Sequence, residues 1–299
     1  MRQQFLGLIL LTTLGCAQSQ KTEATRASGA RFFFSEIDWV GVLPTLGEGH
    51  VVKSWGFSFL DLKNEIMSQN PTLVCSEFTQ SERDTALEAL FPIEFPAVEE
   101  AARDLGAIHF GADWTLPFQL TEEPRRDLDR DQRALFEALG NELIRVPSRF
   151  ASLGWNGLLE SRVIDEEYKS IHRQRARMGS DAADGFYETR SQRMVLSCLR
   201  HAQRTRAKRV LFVAHIDRRA ALFDAVLDQT GKPPANLRRL SGPAKSELSP
   251  RILRSWRRQQ ALIETYMNDD GAGPEIQERI RESRRREELN TVVNAFSGK

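Results

Sequence analysis

Arg209 to Ala214 (RVLFVA) is a nearly unbroken apolar run, too short for a buried helix and rich in β-branched and aromatic side chains. Such a run suits a strand covered on both faces, and strands of that kind belong to parallel sheets sandwiched between helices. The flanks agree. Tyr187 to Arg206 carries apolar residues at helical spacing, Met194, Leu196 and Leu199 among them, and Arg218 to Gln229 reads as the next helix, closed by Gly231.

Three more strands are expected upstream. Ile37 to Leu46 reads as a strand despite Pro44, Thr72 to Ser76 is a short apolar strand, and Ala107 to Ala112 is a third. Helices are expected between them at Phe57 to Met67 and at Pro96 to Leu105, the latter with proline in its first turn and Gly106 as its stop. Strand–helix–strand units in succession predict an α/β fold with a mostly parallel or mixed central sheet flanked by helices. Residues 120–180 are charged and helix-biased and read as a helical insertion able to cover a site. In it, surface helices over Asp129 to Leu143 and Leu158 to Met178 are separated by Pro147 and Gly154. C-terminal amphipathic helices follow at Pro250 to Met267 and Glu275 to Phe296.

The first residues carry a different signal. Arg2 precedes an apolar stretch from Phe5 to Leu14, too short for a membrane-spanning helix, which needs roughly 20 apolar residues. Residues 1–15 fit a cleaved signal peptide. Leu14-Gly15-Cys16 is similar to a bacterial lipobox, so Cys16 is the expected lipidation point, and residues 16–30 are the lipidated Cys and a flexible polar tether. Residues 31–299 then make a single α/β domain. The chain is expected to be exported to the bacterial cell envelope and held there by a lipid anchor in the membrane.

Charge bounds the partners. Lys plus Arg number 42 against 41 for Asp plus Glu, and removal of residues 1–15 takes away only Arg2. A balanced surface is a poor match for nucleic acid, which rewards a basic face. Cys75 and Cys198 have no second cysteine at metal-site spacing; a disulfide between them and two buried free thiols both remain open.

In open parallel sheets ligands bind outside the carboxyl ends of the strands. The four expected strands end near Glu48 and His50, at Glu77, at Asp113 and at His215. His50, Glu77, His215 and Asp113 are therefore candidate ligands of a divalent metal ion, with Glu48 as general base and Arg190 as anchor for a carboxylate or substrate anion. His109 reads as a packing residue; His172 and His201, in charged helical stretches, read as exposed. No Gly-x-Ser-x-Gly elbow is present, which argues against a serine-hydrolase triad, and no P-loop or dinucleotide fingerprint is present.

Gly47-Glu48-Gly49-His50 after a strand resembles the Gly-x-x-His of the TraB/TIKI proteins, and equally the Gly-Glu-x-His of ChaN-like haem-binding lipoproteins; erythromycin esterases share a related Gly-Glu start. Pro71 to Glu77 resembles the next strand of these families, which ends in a functional Glu. Glu94, Ala101, Ala102, Gly106 and Asp113 fit the helix and strand after it. Arg190 to Met194 resembles the Arg-Asn-x-x-Met helix of TraB/TIKI proteins with Ser191 in place of Asn, and Lys208 to His215 their late strand with Phe212 in place of Gly. The resemblance implies a mixed α/β fold and, for the TIKI branch, metal-dependent proteolysis through two histidines and a Glu. The ChaN-like alternative implies haem or iron held by His50 or by Tyr168, Tyr187 or Tyr266. A third reading is a non-catalytic relative serving as an interaction protein.

Overall fold

The computed structural model describes residues 34, 36–47, 58–79, 91–114, 118–238, 249–268, 277, 280, 281 and 285–297. The residues expected to form a signal peptide and tether, with Cys16, lie outside the described residues, as do Glu48 and His50. Phe34–Lys299 forms one compact unit.

Four parallel strands, β1 (Trp39–Thr45), β2 (Leu73–Ser76), β3 (Ile108–Gly111) and β4 (Arg209–His215), form a sheet in the order β1-β4-β2-β3. The α/β architecture is thus present, and these four strands are wholly parallel. Helices α1 (Phe59–Gln69) and α2 (Phe95–Leu105) connect β1 to β2 and β2 to β3, moving across the sheet in one direction. The return to β4 runs through α7 (Tyr187–Thr205) in the other direction. Right-handed crossovers require helices of opposed connections to lie on opposite faces. The core divides accordingly. Leu43, Val74, Leu211 and Val213 pack with Phe59, Leu62 and Ala97 of α1 and α2. The alternate strand residues Val42, Leu73, Cys75, Val210 and Phe212 pack with Met194, Val195 and Leu199 of α7 and with Leu222 of α8 (Arg219–Thr230). Period-two alternation along each strand feeds both layers, the reason these runs lack polar residues.

Local chemistry sets the boundaries. Ser58 and Asp61 form a reciprocal capping box at the start of α1. Gly106 and Gly231 close α2 and α8 in the left-handed region at φ 66° and 70°, where glycine carries no side-chain penalty. Pro44 is tolerated because β1 is an edge strand. Ala235 N–H donates to Val40 O at 2.7 Å, covering part of that edge.

The insertion is helical: α3 (Phe118–Arg126), α4 (Arg130–Arg149), α5 (Gly154–Glu160) and α6 (Arg162–Gly179). The expected break at Pro147 is corrected, since α4 continues through it to Arg149. A proline in the last turn disturbs only the end of a helix. Arg219, 2% exposed, ties the insertion to α8 by donating to Asp165 Oδ1 at 2.7 Å, Leu158 O at 2.6 Å and Ser161 O at 2.9 Å. Beyond the sheet, α9 (Pro250–Asn268) buries Trp256 against Phe59 and donates its indole N–H to Ile93 O at 2.8 Å; α10 (Arg285–Ser297) packs on α9. One disulfide, Cys75–Cys198, joins β2 to α7 with 6.2 Å between Cα atoms. No described helix is long and apolar enough to cross a membrane.

Candidate functional site

The chain leaves β1 and β2 toward the face covered by α1 and α2, and leaves β4 toward the opposite face. Two switch points therefore flank the carboxyl end of β4, and His215 stands between them, in register with Thr45 of β1. Its backbone N–H donates to Glu77 Oε2 at 2.7 Å. The other oxygen of Glu77 pairs with Arg218 Nε. His215 Nδ1 lies 3.1 Å from Asp217 Oδ1, which leaves Nε2 as the outward nitrogen of the ring. A methyl group placed on Gly47 would sit 3.8 Å from that Nε2 and 4.0 Å from Glu94 Oε1, while Gly47 N–H donates to Glu94 Oε1 at 2.8 Å. Gly47, two residues beyond β1, thus lies directly against the His215 ring.

A second carboxylate pair adjoins the first. Arg190 on α7 grips Asp113 through Nε at 2.6 Å and through a second nitrogen, and Trp114 N–H donates to Asp113 Oδ1 at 2.7 Å. Behind both pairs, Tyr187 O–H donates to Asp217 O at 2.5 Å, and its ring stacks on His172 of α6 with centroids 3.6 Å apart. His172 Nδ1 meets Asp184 Oδ2 at 2.8 Å, and Arg175 meets the other oxygen at 2.9 Å. The insertion therefore buttresses the loop that carries Asp217.

Electrostatics follow the contacts. Burial pulls His215 down, but the Asp217, Glu77 and Glu94 carboxylates outweigh it and push the imidazole up to about 9. With its side chain 41% exposed, solvent tempers that field without reversing it. Burial raises Asp217, yet His215 and Arg218 hold it well below the usual carboxylate range. Burial pushes Glu77 up against the opposing pull of Arg218. Asp113 feels the same desolvation but is held low by Arg190, whose own charge is reinforced. Tyr187 is raised well above its ordinary value, chiefly by burial.

Of the expected residues, His215, Glu77, Asp113 and Arg190 are brought into one charge cluster. Glu48 and His50 lie outside the described residues. For a divalent metal the described donors do not fit together: both oxygens of Glu77 and of Asp113 are taken by arginines and backbone N–H groups. Among the described residues no group of three or more His, Cys, Asp or Glu is arranged to hold a metal ion. Tyr168 and Tyr187 are buried at 0% and 4% exposure. His172, expected to be exposed, is 7% exposed; the stack on Tyr187 and the Asp184 pair draw it inward. His201, also expected outside, is half-buried and stacks on Phe110 at 4.1 Å. Asp217 and Arg218 were not expected at the site, although His215-Ile216-Asp217-Arg218 at a strand end is a readable signal. Glu94 carried only its place in the family pattern.

Comparisons of the chain with protein-family models, with curated proteins and with solved structures found no match.

Proposed function

We propose that this chain is an exported, lipid-anchored hydrolase of the TraB/TIKI-like kind, acting at the carboxyl edge of β4. The observation that carries the reading is His215: its Nδ1 is held by Asp217 and its Nε2 faces Gly47. A carboxylate on one ring nitrogen fixes the ring and leaves the other nitrogen for chemistry. Raised in pKa, His215 serves as a proton donor to a developing oxyanion or leaving group. Arg190 and Arg218 keep Asp113 and Glu77 in place, and Tyr187 fixes the turn after His215. Because the described carboxylates are already matched, no step is routed through a metal.

Purified protein offered p-nitrophenyl butyrate and fluorescent casein tests the reading. Turnover of at least one is expected, with His215→Gln lowering it by about 100-fold or more and leaving the circular dichroism melt cooperative. Wild type inert toward both, or His215→Gln as active as wild type, would remove the hydrolase reading.

A further inference from the structure

Ser76, the last residue of β2, donates or accepts a hydrogen bond with His109 Nε2 at 2.9 Å, and His109 Nδ1 meets Glu99 Oε2 at 2.5 Å. Three different elements supply the three groups: β2, β3 and α2. The register explains the meeting. Ser76 pairs with Gly111, so His109, two residues earlier on β3, projects to the same face. That face is also His215's, because Ser76 pairs with Val213 on β4, two residues before it. A serine, an imidazole and a carboxylate thus form a continuous hydrogen-bonded chain on the sheet face that carries His215. The Phe78 and Phe95 rings pack on His109 at 5.1 and 5.2 Å and wall it with apolar surface. The His109 side chain is 3% exposed and Ser76 is 5% exposed.

We propose that Ser76 is the nucleophile of this hydrolase, with His109 as its general base and Glu99 as the group that orients His109. The inference rests on the hydrolase reading of His215 and names the group that attacks. A base that accepts from the nucleophile and is held from behind by a carboxylate is the arrangement that activates a serine, whatever fold or chain order presents it. Ser76 needs no glycine elbow, because the carboxyl end of β2 already delivers it to the ligand-binding edge of the sheet. The Ser76 hydroxyl oxygen attacks the carbonyl carbon as its proton passes to His109 Nε2. His109 then returns that proton to the leaving group as the carbonyl bond to it breaks. Water attacks the acyl-serine, giving one proton through His109 back to Ser76 and releasing the carboxylic acid. Glu99 holds His109 Nδ1–H throughout. His215, on the same face one strand away, is the donor for the oxyanion of both steps. The substrate class is an ester or amide, the carbonyl compounds such a relay can open.

A fluorophosphonate probe tests this without knowledge of the natural substrate. Serine attack on phosphorus displaces fluoride and leaves a stable adduct, located by mass spectrometry of the peptide containing Ser76. Wild type should be labelled at Ser76, Ser76→Ala should not, and His109→Gln should react about 100-fold more slowly or less. If His109→Gln fails to fold, Glu99→Gln replaces it, since that side chain is 31% exposed; a loss of about 10-fold or more is then expected. No adduct at Ser76 in wild type that still shows His215-dependent turnover overturns the nucleophile and leaves the hydrolase reading standing. Labelling at Ser76 that is indifferent to His109 and Glu99 overturns the relay. Labelling that follows the relay, in a protein inert toward both test substrates, supports the nucleophile on its own.

Discussion

Glu77 Oε2 accepts the backbone N–H of His215 at 2.7 Å, so the side chain that follows β2 fixes the last residue of β4. The same carboxylate carries the charge that matches Arg218, whose side chain is 12% exposed. Glu77→Gln keeps the shape and the acceptor but leaves Arg218 without its counter-charge. Breaking one partner of a buried pair costs about 3 kcal/mol or more, and a lower urea midpoint at pH 7 is expected. A midpoint equal to wild type would mean that solvent already screens the pair.

The Cys75–Cys198 bond closes a sequence separation of 123 residues. Constraining so long a loop in the unfolded chain stabilises the fold by about 2–5 kcal/mol. The double variant Cys75→Ala, Cys198→Ala should unfold at lower denaturant than the oxidised protein, and thiol titration of wild type should find neither cysteine. Two reactive thiols in protein recovered from the envelope would contradict the bond.

His215 and Asp217 predict opposite arms of a pH profile. The ordinary value of His215 is 6.5 and the folded value is about 9. Its stabilisation is therefore present below about pH 6.5 and is lost as pH rises through about 9. Asp217 is shifted down from 3.8, so its contribution is present above that value and is lost as pH falls toward its folded pKa. His215→Gln should flatten the alkaline arm, and the wild-type ring should titrate above its ordinary value by NMR. A ring that titrates at or below 6.5 would contradict the Asp217 pairing. The 41% exposure of the side chain keeps the amplitude small.

Metal analysis probes the carboxylates directly. With Glu77 and Asp113 committed to Arg218 and Arg190, protein purified without a metal-binding tag should carry divalent metal well below one equivalent. EDTA should leave its hydrolysis unchanged. A stoichiometric ion that His50→Ala or His215→Gln removes would restore the metal-dependent mechanism, with His50 in the ligand set and Glu48 as its general base.

Cys16→Ser should move the exported protein from the membrane fraction to the soluble one. Membrane retention unchanged by the substitution would argue against the lipid anchor.

The fold was legible because each strand announces itself. Val210 to Ala214 has no polar residue to place on either face, and a polar group follows each apolar run. That regularity led to His215, Glu77 and Asp113. What the pattern lacks is any record of register. Ser76 and His109 are 33 residues apart, and nothing local shows that β2 and β3 set them on the same face, or that α2 lays Glu99 behind them. His172 illustrates the converse: its charged neighbours suggest solvent, but one face of α6 turns inward, and Tyr187 and Asp184 meet it there. Pro147 suggested a break because a proline disrupts a helix interior, whereas its actual place is the last turn of α4.

The strand order has a temporal consequence. β4 is an interior strand, yet it is the last of the four to emerge from the ribosome or to pass through a translocation channel. Until residues 209–215 arrive, β1 has no strand to pair with and β2 has only β3, and Cys75 cannot meet Cys198. More than two-thirds of the chain must wait for that segment before the four-stranded sheet can form. Such non-local pairing folds slowly. For the proposed export, that delay would keep the chain threadable until it reaches a compartment where its disulfide can close.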